Sequence, residues 1–246
     1  MATWVLGDIH GCAQELSELV ETLALARDDR LLCVGDLFHR GPDPLGVMDL
    51  LQEHGALFIL GNHELVVLER FGLAPRLSDG SDRPALRTSF PPLEEGDLAG
   101  DGNIPCALPA ERRKELLVFL QGHLGFFAEN TGIEGAGPTA DGRAWCAVHA
   151  GLVPGRSPAE CRPAELIRLR RLTGRGKPYW YEVYSGPNLV LFGHTPGSIP
   201  RAQREGGRLV ALGLDTGCVY GGQLTAYCPE EDRFVQVKAA RAWARK

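Results

Sequence analysis

Leu31-Leu32-Cys33-Val34-Gly35-Asp36-Leu37-Phe38-His39-Arg40-Gly41 is the stretch whose reading decides the fold. An apolar run gives way at once to a carboxylate, an imidazole, a guanidinium and two glycines, so it reads as a buried strand that delivers polar groups at its carboxyl end. Three other stretches share the design: Trp4-Val5-Leu6-Gly7-Asp8-Ile9-His10-Gly11, Leu57-Phe58-Ile59-Leu60-Gly61-Asn62-His63-Glu64 and Leu189-Val190-Leu191-Phe192-Gly193-His194-Thr195-Pro196. A fifth apolar run, Ala144 to Val148, ends in His149-Ala150-Gly151.

Between these runs the spacing is helical. Leu16, Leu19, Val20 and Leu23 share one face of a helix expected over residues 12–26, Leu45, Met48 and Leu51 mark one over 44–54, and Leu65, Val66 and Leu68 one over 64–71. A further helix is expected near 110–122, and strands near 126–129, 208–214, 223–228 and 234–237. Short apolar strands alternating with helices predict an α/β sheet covered on its faces, in one domain spanning residues 1–246. From about residue 72 to 109 the pattern stops among glycines, prolines and acids, which predicts a surface insertion or lid.

Composition narrows the function classes. The 246 residues are 44% hydrophobic and 23% charged, ordinary for a globular chain, and a formal net charge of −5 argues against a dedicated nucleic-acid or membrane-surface binder. A phosphate group needs only local positive charge and stays open as a ligand. Seven cysteines without a CxxC pair suggest buried free thiols rather than a disulfide framework, and no stretch approaches the roughly 20 apolar residues of a membrane span. These features predict a cytoplasmic protein.

The polar residues that end the strands are Asp8, His10, Asp36, Asn62, His63, His149 and His194. Carboxylate, imidazole and amide donors together suit first-row divalent metals such as manganese, iron, zinc, cobalt or nickel, and strand carboxyl ends are where ligands collect in α/β sheets. One such residue alone is ordinarily a turn or a core histidine. Several strand ends offering metal donors together are not explained that way, and five of the seven histidines lie in this set or beside it.

In their order, Gly7-Asp8-Ile9-His10-Gly11, Gly35-Asp36 through Arg40-Gly41, Gly61-Asn62-His63-Glu64, His149-Ala150-Gly151 and Gly193-His194-Thr195 match the motifs of the calcineurin-like metallophosphoesterases. Within that superfamily the chain resembles the phosphoprotein-phosphatase branch, including bacterial protein phosphatases and ApaH-like and PrpE-like diadenosine tetraphosphate hydrolases. Leu214-Asp215-Thr216-Gly217-Cys218-Val219-Tyr220-Gly221-Gly222 resembles the C-terminal signature of the bacterial members.

The resemblance implies an αββα sandwich of two mixed sheets flanked by helices. It implies a binuclear centre of two divalent ions, Mn2+ first among them, with Asp8 and His10 on one ion, Asp36 bridging, and Asn62, His149 and His194 on the other. A hydroxide bridging the two ions would attack phosphorus directly, and His63 would protonate the leaving oxygen. Arg40 would bind a phosphoryl oxygen, with an ion pair to Glu64 as its competing role. A second phosphate-binding arginine is expected in Glu165–Arg171, where Arg170 aligns best and Arg168 and Arg171 compete. Protein phosphatases of the branch carry an aspartate where this chain has His39, and His39 is therefore a further candidate catalytic residue beside His63. The implied substrates are phosphorylated: a phosphomonoester or phosphoprotein as the first reading, diadenosine tetraphosphate or another dinucleoside polyphosphate as the alternative, and a non-catalytic metal-binding scaffold as the third. Tyr179, Trp180, Tyr181 and Tyr184 are expected to pack beneath the Leu189 strand, with stacking on an adenine as the competing role.

Overall fold

The computed structural model describes residues 1–74 and 108–245, so residues 75–107, most of the expected insertion, lie outside the described residues. Strands β1 (Thr3–Leu6), β2 (Arg30–Cys33) and β3 (Leu57–Phe58) run parallel in one sheet, joined by β9 (Gln223–Cys228) and β10 (Arg233–Lys238) in the order β10-β9-β1-β2-β3. The second sheet has the order β4-β5-β6-β8-β7, from β4 (Phe127–Glu129), β5 (Trp145–Val148), β6 (Leu189–Phe192), β7 (Arg201–Glu205) and β8 (Arg208–Gly213). Both sheets are mixed: in the first, β9 and β10 add an antiparallel pair to the parallel β1-β2-β3, and in the second, antiparallel β4 and β7 flank a parallel β5-β6-β8 centre.

Alternation along the strands explains why the runs are apolar throughout. Val5, Leu32 and Val34 of the first sheet meet Trp145, Ala147, Leu189, Leu191 and Leu212 of the second between the sheets. Their sequence neighbours Trp4, Leu6, Leu31 and Cys33 face outward onto helices α1 (Ala13–Leu23), α2 (Pro44–Glu53), α3 (Asn62–Arg70) and α4 (Ala110–Leu120), through Leu16, Leu19, Met48, Leu51, Leu68 and Leu116. Cys146, Val148, Val190 and Phe192 face the other way, under α5 (Pro163–Arg168) and the Trp180–Val183 turn. A central strand covered on both faces has no solvent side on which to place a polar residue, which is why polar groups appear only where the strands end. The architecture is the αββα sandwich expected from the motifs. No described helix is long and apolar enough to cross a membrane.

Two elements differ from the expectations. Strand β7 was not anticipated, because Arg-Ala-Gln-Arg-Glu is an edge strand with little to bury; the signal was Gly206-Gly207, both with positive φ (57° and 84°), a two-residue hairpin connection to β8. Helix α3 begins at Asn62 rather than Glu64, which puts Asn62 and His63 in its first turn.

Candidate metal centre

The site lies where the carboxyl ends of β1, β2, β3, β5, β6 and β8 meet across the two sheets. Backbone bonds lace the loops together: the His10 N–H donates to the Asp36 carbonyl (2.8 Å), the Gly11 N–H to Leu37 (2.7 Å) and the Gly193 N–H to His149 (2.8 Å). Asp8 spans the two sheets, its carboxylate oxygens each 3.1 Å from the His194 N–H. Of the seven non-glycine residues with positive φ among the described residues, His10 (50°), Asp36 (53°), Arg40 (81°) and His194 (64°) are here. This concentration of left-handed backbone is what a surrounding structure must enforce, and it recurs at functional sites.

Glu64 does much of that enforcing. Its carboxylate accepts the N–H groups of Asp36 (2.7 Å), Leu37 (2.8 Å) and Gly61 (3.1 Å), which fixes the turn that presents Asp36. Burial and the charge of Asp36 push its carboxyl up to about 7, against the pull of those three donors. Its oxygens are thus engaged with backbone, and Arg40 turns elsewhere: the guanidinium donates to the Tyr220 hydroxyl and brings Nη2 to 3.5 Å from His63 Nε2. Gly61 must be glycine, since a Cβ there would run into the Asp36 carboxylate and backbone nitrogen.

The metal donors fall into two groups around Asp36. On one side His10 Nε2 is 3.6 Å from Asp36 and 3.9 Å from Asp8, with Asp215 close enough to raise Asp8. On the other, His149 Nε2 is 3.4 Å from Asp36, 3.0 Å from Asn62 Oδ1 and 3.1 Å from His194 Nδ1. His149 Nδ1 faces the Val34 carbonyl at 2.8 Å, an acceptor only, so Nδ1 carries the proton and Nε2 offers its lone pair. That lone pair confronts the amide oxygen of Asn62, two acceptors in contact, which a divalent cation between them would turn into attraction. Burial lowers the imidazoles of His10 and His149, and burial with the adjoining His149 pushes His194 down to about 2, so all three are neutral at ordinary pH, the state in which an imidazole can serve a metal. Burial, with Asp215 and Asp36 alongside, raises Asp8 well above the usual carboxylate range, a crowding of negative charge that also calls for cations. The donor set therefore fits metal ions, and Asp8, His10, Asp36, Asn62, His149 and His194 are all brought together.

His63 sits on the solvent side of this cluster, Nε2 3.8 Å from Asp36. The His39 ring lies against it, centroids 4.7 Å apart and tilted by 55°. Burial first, then His63 itself, pushes His39 down to about 3, and its Nδ1 has no hydrogen-bond partner. A neutral ring stands where protein phosphatases of the branch carry a negative charge.

The arginines of 165–171 separate in space. Helix α5 stops at Arg168, and Arg170, in the segment beyond it, reaches the site and donates from Nη2 to the His194 carbonyl at 2.8 Å. Arg171 instead donates to the Lys177 carbonyl and stacks 3.8 Å over the Tyr179 ring, and Arg168 is near Glu69. Trp180 and Tyr181 are buried against Phe192 and Tyr184 against Trp180, with Trp180 Nε1 donating to the Ala150 carbonyl at 2.9 Å, so these rings pack under β6 and the adenine-stacking role is not open to them. Sequence reasoning did not anticipate Glu64 as a backbone acceptor, nor Tyr220 or Asp215. The position of Glu64 three residues beyond Gly61, the spacing of a helix N-terminal acid, was the legible signal; Asp215 and Tyr220 lie in the Leu214–Gly222 stretch that resembles the bacterial signature, but their contacts with Asp8 and Arg40 come from distant sequence.

Residues 1–198 match the family model of calcineurin-like phosphoesterases. A bis(5'-nucleosyl)-tetraphosphatase PrpE [asymmetrical] of Oceanobacillus iheyensis is 27% identical over 95% of this chain and 90% of its own. A symmetrical bis(5'-nucleosyl)-tetraphosphatase of Nitrosospira multiformis is 26% identical over 99% of this chain and all of its own (100%). A crystal structure of a presumed diadenosine tetraphosphatase superposes with a TM-score of 0.68 at 25% identity, covering 96% of this chain and 93% of the other. A yeast serine/threonine phosphatase superposes with a TM-score of 0.53 at 11% identity, a likeness of fold alone. With the motifs, the sandwich and the clustered donors, these matches lead to one conclusion: the chain belongs to the calcineurin-like phosphoesterase family and is a hydrolase of the metallophosphoesterase type.

Proposed function

We propose that this protein hydrolyses bis(5'-nucleosyl) tetraphosphates, using two divalent ions of which Mn2+ is the first choice. The observation that carries the reading is full-length similarity to relatives named for that activity, 95% and 99% of the chain in the two described above. The neutral His39 favours it over a phosphoprotein phosphatase, the first reading from sequence, because the aspartate of that branch is missing.

Asp8, His10 and Asp36 would hold one ion, and Asp36, Asn62, His149 and His194 the other. When bound, such ions supply Lewis-acid stabilisation of a phosphoryl oxygen and acidify water. The chain's own residues do the rest. Arg40 and Arg170 approach the ligand cluster from two elements, and their planar forks suit the successive anionic oxygens of a polyphosphate. Tyr220 fixes the guanidinium of Arg40, and Arg40 brings a positive charge beside His63 Nε2. His63, partly exposed and at the mouth of the cluster, is placed to give a proton to the departing phosphate oxygen.

The test is a panel of diadenosine tetraphosphate, a chromogenic phosphomonoester and a phosphopeptide, each with added Mn2+. The dinucleotide is expected to be turned over with kcat/KM at least about tenfold above the other two, a difference of about 1.4 kcal/mol in transition-state binding. Turnover of the phosphopeptide without the dinucleotide would restore the phosphatase reading, and chromatography of the products separates symmetrical from asymmetrical cleavage.

A further inference from the structure

Behind the hydrolytic site, against α1, three side chains meet that no step of the hydrolysis uses. Cys12 stands at the N-cap of α1, Glu15 lies in its first turn, and Cys218 comes from the loop between β8 and β9. Both sulfurs and a carboxylate oxygen of Glu15 lie within 4.8 Å of one another. All three residues are fully enclosed, at 0%, 1% and 1% exposure for Cys12, Glu15 and Cys218.

Glu15 supplies the second observation. Its Oε1 accepts the Ala240 N–H (3.0 Å) and Trp243 Nε1–H (2.9 Å), while Oε2 is buried without a hydrogen-bond partner. A carboxylate oxygen left bare in the interior is costly unless a cation or a proton meets it. Two thiols and a carboxylate are donors for a borderline-soft divalent ion, zinc foremost, and differ in kind from the nitrogen and oxygen donors around Asp36.

We propose that Cys12, Glu15 and Cys218 form a separate structural metal site of the zinc type. A tetrahedral zinc ion with bonds of about 2.3 Å to sulfur and about 2.1 Å to oxygen spaces its ligand atoms by about 3.5–3.8 Å, so the cluster closes on it by shifts of about 1 Å or less. The His10 carbonyl, 3.9 Å from Cys12 Sγ, stands nearby as a fourth donor. A disulfide between the two cysteines explains less, because both sulfurs are enclosed away from oxidants and Glu15 Oε2 would remain as bare as before. The ion ties the loop carrying His10 to the loop carrying Asp215 and Tyr220, and through Glu15 to the C-terminal segment. Its role is thus to hold site-bearing loops in place, and it does not depend on which phosphate ester is cleaved.

The test is X-ray absorption at the zinc edge on the full-length zinc-loaded protein, paired with cobalt substitution. Sulfur scattering near 2.3 Å and a thiolate-to-cobalt charge-transfer band are expected, since the donors of the hydrolytic site include no sulfur. Cys218→Ala and Glu15→Gln, checked for folding by circular dichroism, are expected to lose or weaken the band, and Cys218→Ala to lose about one metal equivalent per chain while keeping the ions bound by nitrogen and oxygen. Zinc-loaded wild-type protein without sulfur ligation overturns the proposal, and so does a band that survives unchanged in Cys218→Ala, since the sulfur would then come from another cysteine. Should Cys218→Ala fail to fold, absence of sulfur scattering from the zinc-loaded wild-type protein still overturns the proposal.

Discussion

His39 and His63 stand ring against ring, and the burial that keeps His39 neutral deprives His63 of the charged partner a proton donor commonly has. His63 is itself lowered by burial, which favours its neutral form. Placing a carboxylate beside it favours the protonated imidazole instead. His39→Asp is therefore expected to raise the alkaline limb of the kcat/KM profile by about 1 pH unit while leaving metal content intact. An unchanged profile would mean that position 39 does not govern His63. Tyr220→Phe removes the acceptor that holds Arg40 and keeps the ring beneath it, 5.6 Å from the guanidinium carbon. A loss of about tenfold in kcat/KM is expected, the worth of one hydrogen bond to a charged group, without change in metal stoichiometry.

At the scale of elements, the turn after β2 is held from outside, by the first turn of α3. Glu64→Ala would leave three buried N–H groups without an acceptor, and the left-handed Asp36 without its support. The expected loss is about 3 kcal/mol or more in urea unfolding, together with weakened metal binding. Stability equal to wild type would show that water replaces the carboxylate and that the turn is self-supporting. How legible such features were depended on chain distance. The burial of β1, β2 and β5 was written in their own apolar runs, and the Asp43–Pro44 start of α2 in its cap, whose carboxylate accepts the Gly46 N–H at 2.8 Å. Strand β7 was hidden because its pairing with β8, and not its composition, makes it a strand.

Across the whole molecule, the two sheets meet on one apolar layer and share one cluster of anionic and imidazole donors at its rim. Ions bound there stabilise only the folded state, because the donors come from five strand ends that are scattered in the unfolded chain. Removing metal with a chelator is expected to lower Tm by about 5–10 °C, the scale of a ligand present at about a hundred times its Kd for a chain of this size. Readdition of Mn2+ should restore both Tm and turnover. A melting temperature indifferent to chelator would contradict the assignment of the cluster as a metal centre.

By itself the sequence determined the strands and the sandwich they belong to, and it singled out Asp8, His10, Asp36, Asn62, His149 and His194 as the candidate donors that the strand ends bring together. These are local properties: an apolar run that ends in a ligand type is read from consecutive residues, and glycines beside it mark where backbone must approach backbone. The tertiary structure alone decided that Glu64 serves backbone rather than Arg40, that Tyr220 holds Arg40, and that Cys12, Glu15 and Cys218 share one enclosed space. Each is a contact between segments far apart in sequence, fixed by how the sheets and helices pack, and no local pattern of residues encodes it.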